Sequence, residues 1–202
     1  AVVKRLMQGH RTTSLPETGA EYKIRFMLRK NVCEIMLDTT GDGLHKRGYR
    51  RNSMEAPIRE TLAATIADLG RVRRDSLVED PFCGSGTLLI EAAQKAMNIA
   101  PGLKRRFAAE RYSFVPAAVW AEQRQKALAE SKLDVGFEAF GYDIDPAAVA
   151  LANANAKLAG VEKRCHFEVA DVADFAARSE AIVLTNPPYG ERMSTIEGAA
   201  KL

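Results

Sequence analysis

The stretch TNPPYGERM, residues 185–193, sets an amide, two prolines and an aromatic ring directly behind the apolar run AIVL. Folding alone gives no reason for that combination. Asn186 offers an amide oxygen, and the stiff Pro187-Pro188 backbone fixes the direction of the Pro187 carbonyl. Two aimed acceptors suit a primary amine conjugated to a ring or carbonyl, whose lone pair is delocalised and a poor nucleophile until both N–H bonds are held. Tyr189 adds a face on which a planar base can stack, an interaction worth ~1–3 kcal/mol per base.

Upstream lies DPFCGSG, Asp80 to Gly86, in which Gly84 and Gly86 let the backbone turn tightly and approach a ligand closely. No Gly-Lys-Ser/Thr follows, so it is not a phosphate loop, and the third-glycine spacing of a dinucleotide fingerprint is missing. Asp143 in GYDID ends a strand where a carboxylate accepts from ribose hydroxyls, while Asp145 is placed to cap the helix that starts at Pro146. Asp171 in EVAD ends the next strand, where a carboxylate can accept from an exocyclic amine such as that of adenine. Asp80, Asp143 and Asp171 together, beside a glycine turn, argue for a cofactor carrying a nucleoside.

The elements that position these residues are legible as alternating strands and helices. LVED is a strand, LLIEAAQKAM a helix, EAFGYD a strand, PAAVALANANAKLAG a helix with Pro146 in its first turn and Gly160 at its end, and CHFEVAD and AIVLTN two further strands. This order predicts an α/β domain with a parallel sheet, and ligands then gather beyond the carboxyl ends of the strands. Residues 94–136 form a first crossover far longer than one helix requires, with an extra helix expected from about Ala117 to Ser131. Ahead of this domain, Tyr22, Ile24, Phe26 and Leu28 alternate with Lys23, Arg25 and Met27, and the turn-like Arg29-Lys30-Asn31 leads into VCEIML, which predicts a β-hairpin. The glycine-rich, basic loop TTGDGLHKRGYRRNS follows, then a helix from Glu55 to Leu69 with Ile58, Leu62, Ile66 and Leu69 on one face. The boundaries read as an accessory domain over 1–42, a linker over 43–54 and the α/β domain over 55–202.

Charge is divided unevenly along the chain. Residues 1–60 hold 12 Lys/Arg against 7 Asp/Glu, and residues 94–136 hold 8 against 4, whereas residues 137–202 hold 6 against 10. Such asymmetry suits a protein that meets a polyanion with one face, although solvated helix surfaces give the same pattern. His45, Lys46, Arg47 and Arg50 in the linker are candidate RNA contacts, and an equally simple reading of His45-Lys46-Arg47 is a solvated loop. Cys33, Cys83 and Cys165 are odd in number and far apart, and His10, His45 and His166 have no metal-ligand spacing, so reduced thiols and no metal are expected. No stretch has the apolar length of a membrane span or the pattern of a signal peptide, and the expected address is the cytoplasm.

At these motifs the sequence resembles the class I S-adenosylmethionine-dependent methyltransferases that modify amines, whose fourth-strand signature is Asn/Asp-Pro-Pro followed by an aromatic residue. NPPYGER and DPFCGSGTLLIEAA are most similar to the large-subunit ribosomal RNA guanine-N2 methyltransferases that carry an RNA-binding THUMP domain. GDGLHKRGYR and APIRETLAA resemble that family's connection into its catalytic domain, and YKIRFMLRKNVCEIMLDTT the end of its THUMP domain. The resemblance implies a Rossmann-like fold with Asp80, Phe82, Gly84, Gly86 and Asp143 binding S-adenosylmethionine, Asp171 holding its adenine, and Asn186, Pro187, Pro188 and Tyr189 receiving the target amine. RNA is the implied partner. That family's sheet has seven strands where four follow the boundary here, and its THUMP domain is represented by its C-terminal part alone, so the chain reads as a fragment. Adenine-N6 methylation of nucleic acid, and an inactive RNA-binding module of the same fold, are the alternatives.

Overall fold

A computed structural model of the chain describes residues 1–15, 17–50 and 58–188. The expected helix beyond Ser194, residues 55–57 of the helix expected from Glu55, and Tyr189 lie outside the described residues; Ile58 and Arg59, expected in that helix, are not helical, and it begins at Glu60 because Arg59 is its extended N-cap. The chain divides into two compact units, one formed by Ala1–Gly41 with Phe107–Ala117, the other by Asp42–Arg106 with Ala118–Leu202.

The first unit contains helix α1 (Val2–Gly9) and an antiparallel hairpin of β1 (Ile24–Arg29) and β2 (Val32–Leu37). The hairpin turns through Lys30 and Asn31, both in the left-handed region with φ of 48° and 62°, which gives the primed two-residue turn that matches strand twist. Ile24 pairs with Leu37, Phe26 with Ile35 and Leu28 with Cys33, so these six side chains share one exposed apolar face. Tyr22 stacks on Tyr112 at 4.6 Å between ring centroids, and the amides of Ala108 and Ala109 donate to the carbonyls of Thr40 and Thr39.

The second unit is built on a four-stranded parallel sheet in the order β5-β4-β3-β6, where β3 is Leu77–Asp80, β4 Glu138–Asp143, β5 Cys165–Val169 and β6 Ile182–Val183. This is the α/β fold with a parallel sheet expected from the sequence. The chain lays β3, β4 and β5 side by side, then returns to put β6 on the other flank of β3, so the order reverses at β3 and opens a crevice beyond its carboxyl end. β6 is shorter than the run AIVLTN, and prolines 187 and 188, with no N–H, cannot extend the ladder beyond it. The amide of Leu184 still donates to Glu79 O at 2.9 Å.

Helices α3 (Thr87–Ala96) and α5 (Pro146–Ala159) pack on one face of the sheet, and their apolar sides meet Val78, Ala139 and Phe167 in a core that also includes Leu89, Ile90 and Ala152. α5 begins as expected, with the Asp145 carboxylate accepting from Ala147 N at 2.8 Å, and ends at Gly160. Helix α4 (Ala117–Ala129) occupies the long crossover where an extra helix was expected. Helix α2 (Glu60–Leu69) departs from expectation in the face it buries. Ile66 of the expected face packs against the core, but Leu62 and Leu69 are exposed, and Glu60, Ala63 and Ala67 are the buried positions, because alanines allow α2 to approach α3 closely where leucines would hold the two apart. Among the described residues no helix is long and apolar enough to cross a membrane.

Candidate active site

The carboxyl ends of β3 and β4 bring five of the expected cofactor residues together, Asp80, Phe82, Gly84, Gly86 and Asp143. Asp80 ends β3 and is 1% exposed, and Phe82 N donates to its Oδ1 at 3.0 Å. The chain then turns through Gly84 and Gly86, both at positive φ (51° and 76°), into the first turn of α3. From the neighbouring strand, Asp143 accepts Gly84 N–H on Oδ2 at 2.9 Å and Asp145 N–H on Oδ1 at 3.0 Å. Asp143 therefore holds the glycine turn, and each of its oxygens retains a second lone pair for a ligand. A side chain at Gly84 would meet nothing within 4 Å, so this turn presents bare backbone to open space beside two carboxylates.

Burial pushes the Asp80 carboxyl up to about 7, and the negative charge of Asp143 adds to the effect. The Cys83 thiol, in the same turn, is raised well above the ordinary range by burial and then by Asp80 and Asp143, which leaves it protonated and unsuited to nucleophilic chemistry.

Asp171 stands two residues past the end of β5, and Ala170 N donates to Asp143 O at 3.1 Å, which keeps this chain end beside β4. Its carboxylate accepts from Ala173 N at 2.9 Å and caps the short 3₁₀ turn Val172–Asp174. Asp171, Phe175 and Tyr142 are among the residues around a cavity of about 250 Å³. On the other flank of β3, the register Val78↔Ile182 and Glu79↔Val183 carries Asn186, Pro187 and Pro188 past the same edge of the sheet as Asp80, with Asn186 and Pro187 exposed. Tyr189 lies outside the described residues.

The linker cations separate into two kinds. Arg47 is turned inward, donating to Leu44 O at 3.0 Å and to the buried Glu91 at 3.3 Å, and Tyr49 O–H donates to the same carboxylate at 3.0 Å. Arg50 donates to Thr87 Oγ1 at 2.6 Å and to Ile58 O, with Glu60 at 3.6 Å. Lys46 is exposed and His45 half-buried.

Sequence reasoning missed two supports of the site. Asn155 donates from Nδ2 to Ser85 O at 3.0 Å and pins the glycine turn from α5; its signal is a polar residue at a position in register with the buried Ala148, Ala152 and Ala159. Glu79 is fully buried one residue before Asp80, and Arg178 meets it twice, through its guanidinium and through N–H to Oε2 at 2.8 Å. That guanidinium also donates to Tyr142 Oη at 2.7 Å and lies 3.8 Å from the centroid of Phe140.

Parallel strands, an acidic residue before a glycine turn, and a second acidic strand end bound to that turn are the arrangement of the Rossmann-like fold of S-adenosylmethionine-dependent methyltransferases. The profile of the UPF0020 family, an RMKL-like methyltransferase domain, matches residues 47–202, and the chain belongs to that family. It is 41% identical over 94% of its length to the Bacillus subtilis (strain 168) protein named "Putative RNA methyltransferase YpsC", of which it spans 49%. To "Ribosomal RNA large subunit methyltransferase K/L" of Shewanella baltica (strain OS195) it is 43% identical over 94% of its length, spanning 28% of that protein. The crystal structure of SMU.472 complexed with SAH matches with a TM-score of 0.87 and 38% identity, over 97% of this chain and 52% of that one. The chain thus spans about half or less of the length of these relatives.

Proposed function

We propose that the protein transfers a methyl group from S-adenosylmethionine to the exocyclic amine of a base in RNA, with guanine N2 of large-subunit ribosomal RNA as the target. The observation that carries this reading is the placement of Asn186-Pro187-Pro188 beyond the end of β6, the immediate neighbour of the strand that ends in Asp80. The names of the relatives, an RNA methyltransferase and a ribosomal RNA methyltransferase, support RNA as the substrate. Residues 1–42 are then the C-terminal part of a THUMP-like RNA-binding domain, joined through 43–54 to the catalytic domain over 55–202.

The residues fit the cofactor. The open space above Gly84 accepts a chain of atoms that any side chain there would block, and Asp143 and Asp171 present carboxylate oxygens to ribose hydroxyls and to the adenine amine. The cofactor supplies an electrophilic methyl group on sulfur. The protein's part is to hold both N–H bonds of the target amine, on Asn186 Oδ1 and the Pro187 carbonyl, so that the nitrogen lone pair localises as it becomes tetrahedral. Positioning in line supplies much of the acceleration. With the amine held on Asn186 and Pro187, the bound cofactor would give up its methyl group and leave as the neutral thioether, and the extra proton on nitrogen would pass to water.

The amide oxygen of Asn186 strengthens its hydrogen bond as positive charge develops on nitrogen, a gain made in the transition state. Asn186→Ala should lower the single-turnover rate by roughly two orders of magnitude, the scale of removing one aimed polar group, with cofactor affinity nearly unchanged. Methylation at near the parental rate would overturn the assignment. Mass spectrometry of nucleosides from RNA methylated by the protein reads the base directly, and N6-methyladenine in place of N2-methylguanine would move the reading to adenine.

A further inference from the structure

The basic residues of the linker and those of the crossover belong to one cleft. Residues 42–50 and 105–106 enclose a cavity of about 520 Å³, inside the ~300–1,000 Å³ range of ligand-sized clefts. Lys46, Arg50, Arg105 and Arg106 line it with His45, against two carboxylates, Asp42 and Glu60. Glu60 is buried against Arg50, and Asp42 is spent on an exposed pair with Lys46 at 3.2 Å, a kind of pair worth ~0–1 kcal/mol that an incoming anion can displace.

The walls are built rather than draped. Arg105 is 7% exposed and donates to the carbonyls of Asp42, Gly43 (2.8 Å) and Lys46 (3.2 Å), closing the 42–46 loop around its guanidinium. Gly48 lies so close to the crossover that a Cβ there would fall 2.3 Å from Lys104 O. From α4, Arg124 holds the carbonyls of Leu103 and Arg105 at 2.7 and 2.8 Å. Lys46 and Arg106 are left exposed on a fixed frame.

Position separates this cleft from a second basic cavity among the described residues of the unit. Arg50, one of its walls, bonds Thr87 in the first turn of α3, directly after the glycine turn, so the cleft adjoins the carboxyl ends of the strands where Asn186 lies. The second cavity, about 630 Å³ and lined by Arg73, Arg74 and Lys95 with Asp75 and Asp134, sits at the amino ends of β3 and β4 and the far end of α3. The second cavity therefore lies at the opposite end of the strands from Asn186.

We propose that the 42–50/105–106 cleft binds the sugar–phosphate backbone of the RNA substrate, with Lys46 and Arg106 contacting phosphate and Arg105 positioning the loop that carries Lys46. This rests on RNA being the substrate. Arg47, committed to Glu91, is outside the phosphate set. The test compares the double variant Lys46→Ala/Arg106→Ala with Arg73→Ala/Arg74→Ala, which removes the same charge at the other end of the sheet. Binding of the ribosomal RNA substrate is measured from 50 to 300 mM salt, with methylation kinetics and S-adenosylhomocysteine affinity alongside. Losing two phosphate contacts should reduce the slope of log K against log[salt] by about 1.5 and raise KM for RNA ~10-fold or more, with kcat at saturating RNA and cofactor affinity unchanged. The Arg73/Arg74 variant should keep the parental slope. An unchanged slope in the Lys46/Arg106 variant, or an equal loss in both variants, while the parent still methylates RNA, overturns the cleft and leaves the RNA reading standing. A parent protein that neither binds nor methylates RNA overturns both.

Discussion

Gly84 and Gly86 share a turn and a positive φ, yet the structure assigns them different reasons, and alanine at each should fail differently. At Gly86 (φ 76°) a Cβ would lie 2.8 Å from Phe167 Cζ and 3.0 Å from Ala152 Cβ, inside the core. The left-handed backbone costs ~1–2 kcal/mol for an L-residue, and forcing a methyl into packed core adds ~1–3 kcal/mol. Gly86→Ala should therefore lose about 2–5 kcal/mol of stability, a large share of the ~5–15 kcal/mol that holds a domain together. At Gly84 (φ 51°) nothing lies within 4 Å of the added methyl, so only the backbone cost of ~1–2 kcal/mol remains. That methyl, however, points into the space assigned to the cofactor, and S-adenosylhomocysteine affinity should fall at least ~10-fold, or ~1.4 kcal/mol. Urea unfolding followed by calorimetric titration of each folded variant measures both quantities. Equal stability losses would refute the packing argument, and parental affinity in Gly84→Ala would refute the placement of the cofactor over this turn.

The remaining expectations concern the charges around the strand ends. Because the folded Asp80 carboxyl titrates near 7 against an ordinary 3.8, the folded state holds a proton that the unfolded state has lost between those values. Its contribution to stability is complete below about pH 4 and disappears as pH rises through about 7, an effect of up to ~4 kcal/mol, and urea midpoints at pH 5 and pH 8 should show a fall that Asp80→Asn flattens. Arg178→Met leaves Glu79 buried without its guanidinium partner; since Arg178 is 41% exposed and water can enter, about 2–3 kcal/mol should be lost rather than the ~3–5 of a fully buried pair, and Glu79→Gln should recover part of it in the double variant. Cys33 is exposed while Cys83 and Cys165 are buried with raised thiol pKa, so iodoacetamide at pH 8 should label Cys33 in the folded protein and the other two only on unfolding, as peptide mass spectrometry would show.

What the sequence made legible is local. The hairpin turn at Lys30-Asn31, the Asp145 cap before Pro146, and the glycine turn behind Asp80 each depend on neighbouring residues whose backbone preferences can be read directly. The parallel sheet follows nearly as closely, since strands alternating with helices imply βαβ units, while the order β5-β4-β3-β6 appears only in the fold. What stayed hidden depends on partners far along the chain. Leu62 and Leu69 mark an apolar stripe on α2, but which stripe is buried is decided by the shape of α3, and there the alanines win. Arg47 reads as a loop cation until Glu91, 44 residues on, appears beneath it, while Lys46 beside it stays outside. Glu79 is only one position of the strand LVED until Arg178, 99 residues later, closes over it. A basic residue in sequence can therefore become different things in the fold, a strut when a buried carboxylate or a set of backbone carbonyls takes it up, and an exposed charge when neither does. The burial of Glu79 and Glu91 is what assigns Arg178 and Arg47 to the first kind.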